Sequence, residues 1–228
     1  MVASSDNSLW LFDLRRPKGH ELFRQLRHRQ NDDYFGLVQF SGFLPSGELV
    51  SFESMVSNRV KIWQSLTSST SEMNVLQGEE HIKEVKIESD RYLSDAIILN
   101  RGGRIAFWGK TAEFITIYDV NRPAGQERIG SIDLPTFCEE PVVTPCGQLL
   151  VVCRDAKSSI LTVWQLTDNL PVLVRHVDTS QTGCSKVSSL KLIPDGRILA
   201  ISEDHVGIVD LTKSEGKEMV RTIRRAYA

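Results

Sequence analysis

The densest run of phosphate-binding residue types in the 228-residue chain is Gly102-Gly103-Arg104-Ile105-Ala106-Phe107-Trp108-Gly109-Lys110-Thr111. A phosphate loop sets four residues between its first glycine and its Gly-Lys-Thr, so that backbone N–H groups can curl round the anion. Gly103 and Gly109 enclose five residues, and Ile105–Trp108 has the pattern of a strand, so the run reads as a strand ending in a turn. The histidines His20, His28, His81, His176 and His205 are scattered, with no i, i+4 pair to ligate a metal from one helix face. Asp32-Asp33 and Glu139-Glu140 are adjacent carboxylates, which on a strand point to opposite faces rather than flanking one substrate. Cys138, Cys146, Cys153 and Cys184 contain no CxxC, and a structural zinc site wants two such pairs or one pair with two close histidines. They read as four reduced thiols in an intracellular protein. Neither cofactor nor metal follows from these residues. The one local charge cluster is basic: Lys217, Arg221, Arg224 and Arg225. It suits a phosphate or acidic partner, or else the wet face of an outer strand. The latter is favoured, since Tyr227 is the only aromatic nearby to stack on bases.

The elements that would carry these residues repeat. Ser8–Leu14, Val60–Gln64, Ile115–Val120, Leu161–Leu166 and Val206–Leu211 share one pattern, an alternating strand, an aromatic or apolar residue, then a polar one. With Phe12, Trp63, Tyr118, Trp164 and Val209 aligned, the spacings are 51, 55, 46 and 45 residues. A second marker keeps step with the first. Pro45-Ser46-Gly47, Arg101-Gly102-Gly103, Pro145-Cys146-Gly147 and Pro194-Asp195-Gly196 place a glycine 16, 15, 17 and 13 residues before the aligned position. Glycine there supplies the positive φ of a tight turn between two strands. A period of roughly 40–50 residues is that of a propeller blade. Each repeat reads as four strands, as in Val172–Val177, Val187–Ile193, Arg197–Ser202 and Val206–Leu211. The second outer strand is open between 74–76 and His81–Glu88.

The segments "VQFSGFLPSGELVSFESMVSNRVKIW" and "SSLKLIPDGRILAISEDHVGIVDL" resemble the WD-repeat β-propeller family, and the likeness extends over nearly the whole chain. The Trp-Asp pair of that family is represented by Phe12-Asp13, Trp63-Gln64, Tyr118-Asp119, Trp164-Gln165 and Val209-Asp210. Its preceding aspartate is matched only by Asp6, and its Gly-His has no counterpart in place. The family's buried Asp–His–Ser–Trp network is therefore not expected, and the blades should hold mainly by apolar packing. The expected fold is all-β: about four complete four-stranded antiparallel blades, with partial blades at both ends. As one propeller domain or propeller fragment over 1–228, the blades run roughly 18–66, 72–122, 126–167 and 170–212, with partial ones at 1–14 and 217–228. A five-bladed ring with one three-stranded blade is the alternative to a piece of a larger propeller.

Charge and hydropathy bound the function. Lys+Arg 27 against Asp+Glu 29 leaves a net charge of -2, so no global field recruits nucleic acid or an acidic membrane. The first residues lack a signal-peptide pattern, and the longest apolar runs fall far short of about 18 residues. A cytoplasmic or nuclear setting is expected. What the resemblance implies is a scaffold for other proteins, with contacts on the loops before each inner strand and between the last two strands. The candidates are Tyr34, Asn58, Arg59, Tyr92, Lys110, Phe137, Arg154, Lys157 and His205, because aromatics and Arg anchor binding energy. The substrate-recognition part of an F-box-type ubiquitin ligase is an alternative, and binding through the basic C-terminal cluster a second. No catalysis is expected, since the inner strands Leu37–Phe43, Ala96–Leu99, Pro141–Thr144 and Leu190–Ile193 are apolar. The apolar Leu9-Trp10-Leu11-Phe12 suggests self-association, or further blades, at Met1–Leu14.

Overall fold

The computed structural model describes residues 2–5, 8–27, 37–54, 59–64, 81–87, 95–99, 102–109, 114–134, 138–154, 158–167, 170–179 and 186–224. Every regular element among them is a strand. A three-stranded sheet takes β1 (Val2–Ser5), β2 (Ser8–Phe12) and β3 (Leu22–Arg27), in that order. Four four-stranded sheets follow in chain order. They are β4 (Leu37–Phe43), β5 (Leu49–Ser54), β6 (Arg59–Trp63) and β7 (His81–Lys86); β8 (Asp95–Leu99), β9 (Arg104–Trp108), β10 (Phe114–Asp119) and β11 (Arg128–Asp133); β12 (Val142–Val143), β13 (Gln148–Arg154), β14 (Ser159–Gln165) and β15 (Val172–Asp178); and β16 (Val187–Leu192), β17 (Ile198–Ser202), β18 (His205–Val209) and β19 (Met219–Arg224). Strand order equals chain order in every sheet, the meander that short connections favour.

The sheets are one strand out of step with the sequence repeat. Each outer strand, read from sequence as opening a repeat, pairs with the strand before it: β3 with β2, β7 with β6, β15 with β14 and β19 with β18. The segment 217–228, expected as a partial blade, supplies the outer strand β19 of the last sheet. The open choice for the second outer strand resolves at His81–Lys86.

The turn glycines behave as their spacing requires. Gly47, Gly103, Gly147 and Gly196 have φ of 95, 81, 82 and 86°, and the N–H groups of Gly47, Gly147 and Gly196 donate to Leu44, Thr144 and Ile193 carbonyls at 2.8–2.9 Å.

By backbone contact the chain forms two compact units. One comprises 1–98, 102–109 and 119–127; the other comprises 99–101, 110–118 and 128–228. The first has a core of Leu9, Leu11, Leu26, Val38, Leu49 and Trp63, with Val2 against it. Phe52 and Phe107 stack tilted at 53°, centroids 5.5 Å apart. The second unit has its core between its two complete sheets, where Leu150, Val152, Leu161 and Val163 meet Val187, Leu190, Ile198, Ala200 and Val209. Each Leu, Val or Ile among them contributes about 1.5–3 kcal/mol by leaving water. The middle strand β13 is buried on both faces from Leu149 to Cys153, whereas the outer strand β15 is mostly exposed.

Candidate interaction face

One feature of the register recurs in all five sheets. The pairing of third and outer strand slips at Leu11/Phe12, Ile62/Trp63, Ile117/Tyr118, Val163/Trp164 and Ile208/Val209, immediately before each aligned residue of the repeat. Each slip is a bulge with an extra outer-strand residue: Phe23, Ile82, Ile129, Val174 or Val220. A bulge re-aims the side chain beside it. After Ile82 comes Lys83, after Val174 comes Arg175 and after Val220 comes Arg221.

Lys83 and Arg175 are each received by the connector of the next sheet. The connectors Asp119–Glu127 and Asp210–Glu218 share the pattern Asp-x5-Gly-x-Glu, which also occurs at Asp13–Glu21. In all three the Asp N–H donates to the Glu carbonyl at 2.7–2.8 Å. The Asp carboxylate accepts the N–H two residues on, from Arg15, Asn121 and Thr212, at 3.1, 3.0 and 2.9 Å, an Asx turn. The aspartate that follows the aligned residue thus shapes the connector. Hydrogen bonds from Arg15 hold Asp13 down to about 2, and those from Thr212 hold Asp210 below the usual carboxylate range.

Into this frame Lys83 Nζ donates to the Val120 and Arg122 carbonyls at 2.8 and 2.6 Å and lies 3.2 Å from buried Glu127. Arg175 NH1 does the same with the Leu211 and Lys213 carbonyls at 3.1 and 2.9 Å and with buried Glu218 at 3.4 Å. We call this arrangement a clasp. Burial pushes Glu127 up, but the backbone N–H groups of Glu127 and Gly125 and the Lys83 ammonium outweigh it and hold the carboxyl below its ordinary range. In the third sheet the register position of Lys83 is taken by Gly130, and a Cβ there would meet Leu170 at 2.5 Å. An apolar plug replaces the ion pair. Polar clasps therefore supplement the apolar packing expected from sequence. A buried polar bond adds to it in the second sheet, where Trp63 Nε1 donates to Ser51 Oγ at 2.7 Å.

The clasps and glycine turns, where they occur, lie at one end of the sheets, and the described residues that flank the candidate partner-binding loops lie at the other. Tyr34, Asn58, Tyr92, Lys110, Phe137 and Lys157 lie outside the described residues. Arg59 opens β6, with NH1 2.8 Å from Glu84 Oε1, while buried Lys61 lies 3.9 Å from Glu84 Oε2 and 5.8 Å from the centre of the Trp63 ring. Arg154 ends β13, with NH2 2.6 Å from Glu139 and Nε donating to the Val187 carbonyl at 2.6 Å. His205 opens β18 and is half-buried, its N–H donating to Ser202 Oγ at 3.0 Å. Arg154 and His205 belong to the second unit and Arg59 to the first. Both arginines are held by carboxylates yet remain 43% and 31% exposed. Among the described residues no group of His, Cys, Asp and Glu is placed to hold a metal, and no helix is long and apolar enough to cross a membrane.

No family model matches the chain, and no curated protein does. Solved structures do. A Bacteroides fragilis protein provisionally named as a 6-phosphogluconolactonase aligns with TM-score 0.65 at 12% identity, over 98% of this chain and 67% of its own. The β-propeller domain of Cps50 (Swd1) from Myceliophteria thermophila gives 0.54 at 12%, over 83% and 54%. Hsv2 from Kluyvelomyces marxianus gives 0.58 at 14%, over 99% and 62%. The fold is a β-propeller of about four to five blades. The chain spans between about half and two thirds of the length of these structures.

The comparison corrects one expectation. The apolar inner strands give the expectation of no catalysis, yet the first of these structures, and a second from Bacteroides uniformis at TM-score 0.61 and 12% identity, carry a provisional enzyme name. Apolar inner strands do not exclude an active site, because catalytic groups on this frame can come from loops and strand ends.

Proposed function

We propose that the chain is a protein-interaction propeller of WD-repeat type that presents its partner-binding residues at the end opposite the clasps. The observation that carries this reading is the state of Arg59 and Arg154. Each is anchored by a carboxylate, at 2.8 and 2.6 Å, while its side chain stays partly exposed. A pre-positioned arginine loses less side-chain entropy when it docks. Tyr34, Asn58, Tyr92, Lys110, Phe137, Lys157 and His205 complete the proposed face.

Photo-crosslinkers placed one at a time at positions 34, 92 and 157, and at 18, 124 and 215 on the clasp end, test it. Adducts to one defined protein should form from the first set and weaken about tenfold or more in Arg59→Ala and Arg154→Ala, the range of a hot-spot anchor. Adducts from the clasp end alone would refute the assignment. A subunit of a ubiquitin ligase among the adducts would favour the F-box reading. Affinity falling steeply with salt for nucleic acid would favour the basic strand β19, where Arg221 and Arg224 are exposed.

A further inference from the structure

Cys138 and Cys153 were read from the sequence as ordinary reduced thiols, fifteen residues apart. The fold brings them face to face. Cys138 forms an antiparallel bridge to Cys153 on β13, and the Sγ atoms stand 2.8 Å apart with no bond between them. The neighbouring residues define the kind of pair. The Glu139 N–H donates to the Val152 carbonyl at 3.0 Å, so 139 and 152 are the hydrogen-bonded pair. Alternation then makes Cys138 and Cys153 a non-hydrogen-bonded pair, in which Cα atoms approach to about 4.5 Å. That lies within the range of about 4.4–6.8 Å that a disulfide spans.

We propose that Cys138 and Cys153 are an oxidation site that closes to an intramolecular disulfide at the entry to the fourth sheet. The oxidant is a peroxide. The Cys153 thiolate attacks one peroxide oxygen; an S–O bond forms, the O–O bond breaks, and the departing hydroxide takes a proton to become water. The Cys138 sulfur then attacks Cys153 Sγ. The S–S bond forms, the S–O bond breaks, and the second hydroxide leaves with the Cys138 proton as water. Two thiols and one hydrogen peroxide thus give one disulfide and two waters. Either sulfur can donate across the 2.8 Å contact; with the Cys138 S–H as donor, the bond holds the Cys153 thiol low and the Cys138 thiol high, burial opposing the first shift and reinforcing the second, and the first step falls at Cys153. The same strand ends carry Glu139 and Arg154, whose ion pair would then be tied at both backbones.

The full chain treated with stoichiometric hydrogen peroxide should lose about 2 Da, and its titratable thiols should fall from four to two, with recovery in dithiothreitol. Cleavage after Glu139 or Glu140 separates the two cysteines, so non-reduced peptide mapping reads the crosslink. The crosslink should survive in Cys146→Ser, disappear in Cys138→Ser and leave Cys153 as a sulfenic acid there. Buried Cys153 makes its own variant a poorer test, because refolding is itself at stake; the wild-type map and Cys138→Ser suffice. An unchanged thiol count, a map that pairs Cys146 or Cys184 instead, or direct passage of wild type to sulfinic acid would each overturn the proposal.

Discussion

Lys83 and Arg175 do the same work with different head groups, and that equivalence is a testable statement about single residues. Each donates to two carbonyls of a connector and stands beside its buried glutamate, Lys83 at 3.2 Å from Glu127 and Arg175 at 3.4 Å from Glu218. Lys83→Arg should therefore be tolerated, since the fold already accepts an arginine in this register. Lys83→Met leaves the Glu127 carboxylate without its cation. Hydrogen bonds to charged groups contribute about 1.5–3 kcal/mol, so a loss of about 2 kcal/mol is expected, a fall of roughly 4–8 °C in Tm. Differential scanning fluorimetry of both variants checks this, and equal losses would refute the equivalence. The pH dependence follows from Glu127. Its folded pKa is lowered, so its stabilisation is complete above the unfolded value of about 4.3 and is lost as pH falls through the folded one. Wild type should lose stability below about pH 4, and Glu127→Gln should flatten that acid limb.

Turns and connectors are decided one element up, where glycines of like φ differ in what surrounds them. Gly103 and Gly196 have φ of 81 and 86°. A Cβ at Gly196 meets nothing within 4 Å, but one at Gly103 meets Asn121 Nδ2 at 2.6 Å. Asn121 there donates to the Gly102 carbonyl at 2.5 Å, joining the glycine turn to the Asp119–Glu127 connector. Gly196→Ala should thus cost about 1 kcal/mol, the backbone term alone. Gly103→Ala should cost about twice that, as a hydrogen bond is lost as well. Equal midpoints in urea for the two variants would show that Asn121 yields freely. These turns were legible in the sequence because a positive φ restricts the residue to glycine, and five aligned strand ends repeat in phase with it. The clasps were not. Lys83 and its acceptors lie 37 and 39 residues apart, and the aspartate of Phe12-Asp13, Tyr118-Asp119 and Val209-Asp210 reads in sequence as resembling a degraded Trp-Asp pair, not as the start of a connector. A bulge shifts side-chain direction without changing composition, so the cations Lys83 and Arg175 looked like any charge on a wet strand. The partner face remains an expectation drawn from loop position, with Arg59, Arg154 and His205 its described members.

At the scale of the molecule, among the described residues, four sheets have four strands and the first has three. Among the described residues the second edge of β1 carries no partner strand, while its first edge pairs Val2, Ala3, Ser4 and Ser5 with Leu11, Trp10, Leu9 and Ser8. Ser5 and Ser8 are separated by two residues, and the pair closing a two-residue hairpin loop is the hydrogen-bonded one. Alternation then directs the N–H of Ser4 away from β2. An exposed row of such groups is a template for a further strand. Leu9 and Leu11 are buried in the core of the first unit while Trp10 and Phe12, on the other face of β2, are only half-buried. A second copy can thus gain both backbone hydrogen bonds and apolar burial at residues 1–14. Light scattering across a concentration series should show mass rising above 25.7 kDa. Ser4→Pro removes an outward donor without breaking the β1–β2 pairing and should return the protein to a monomer with its Tm unchanged. Ala3→Pro, whose N–H faces β2, should lower Tm instead. A constant 25.7 kDa at every concentration would mean that the edge is covered by the chain's own atoms, and the association would have to be abandoned.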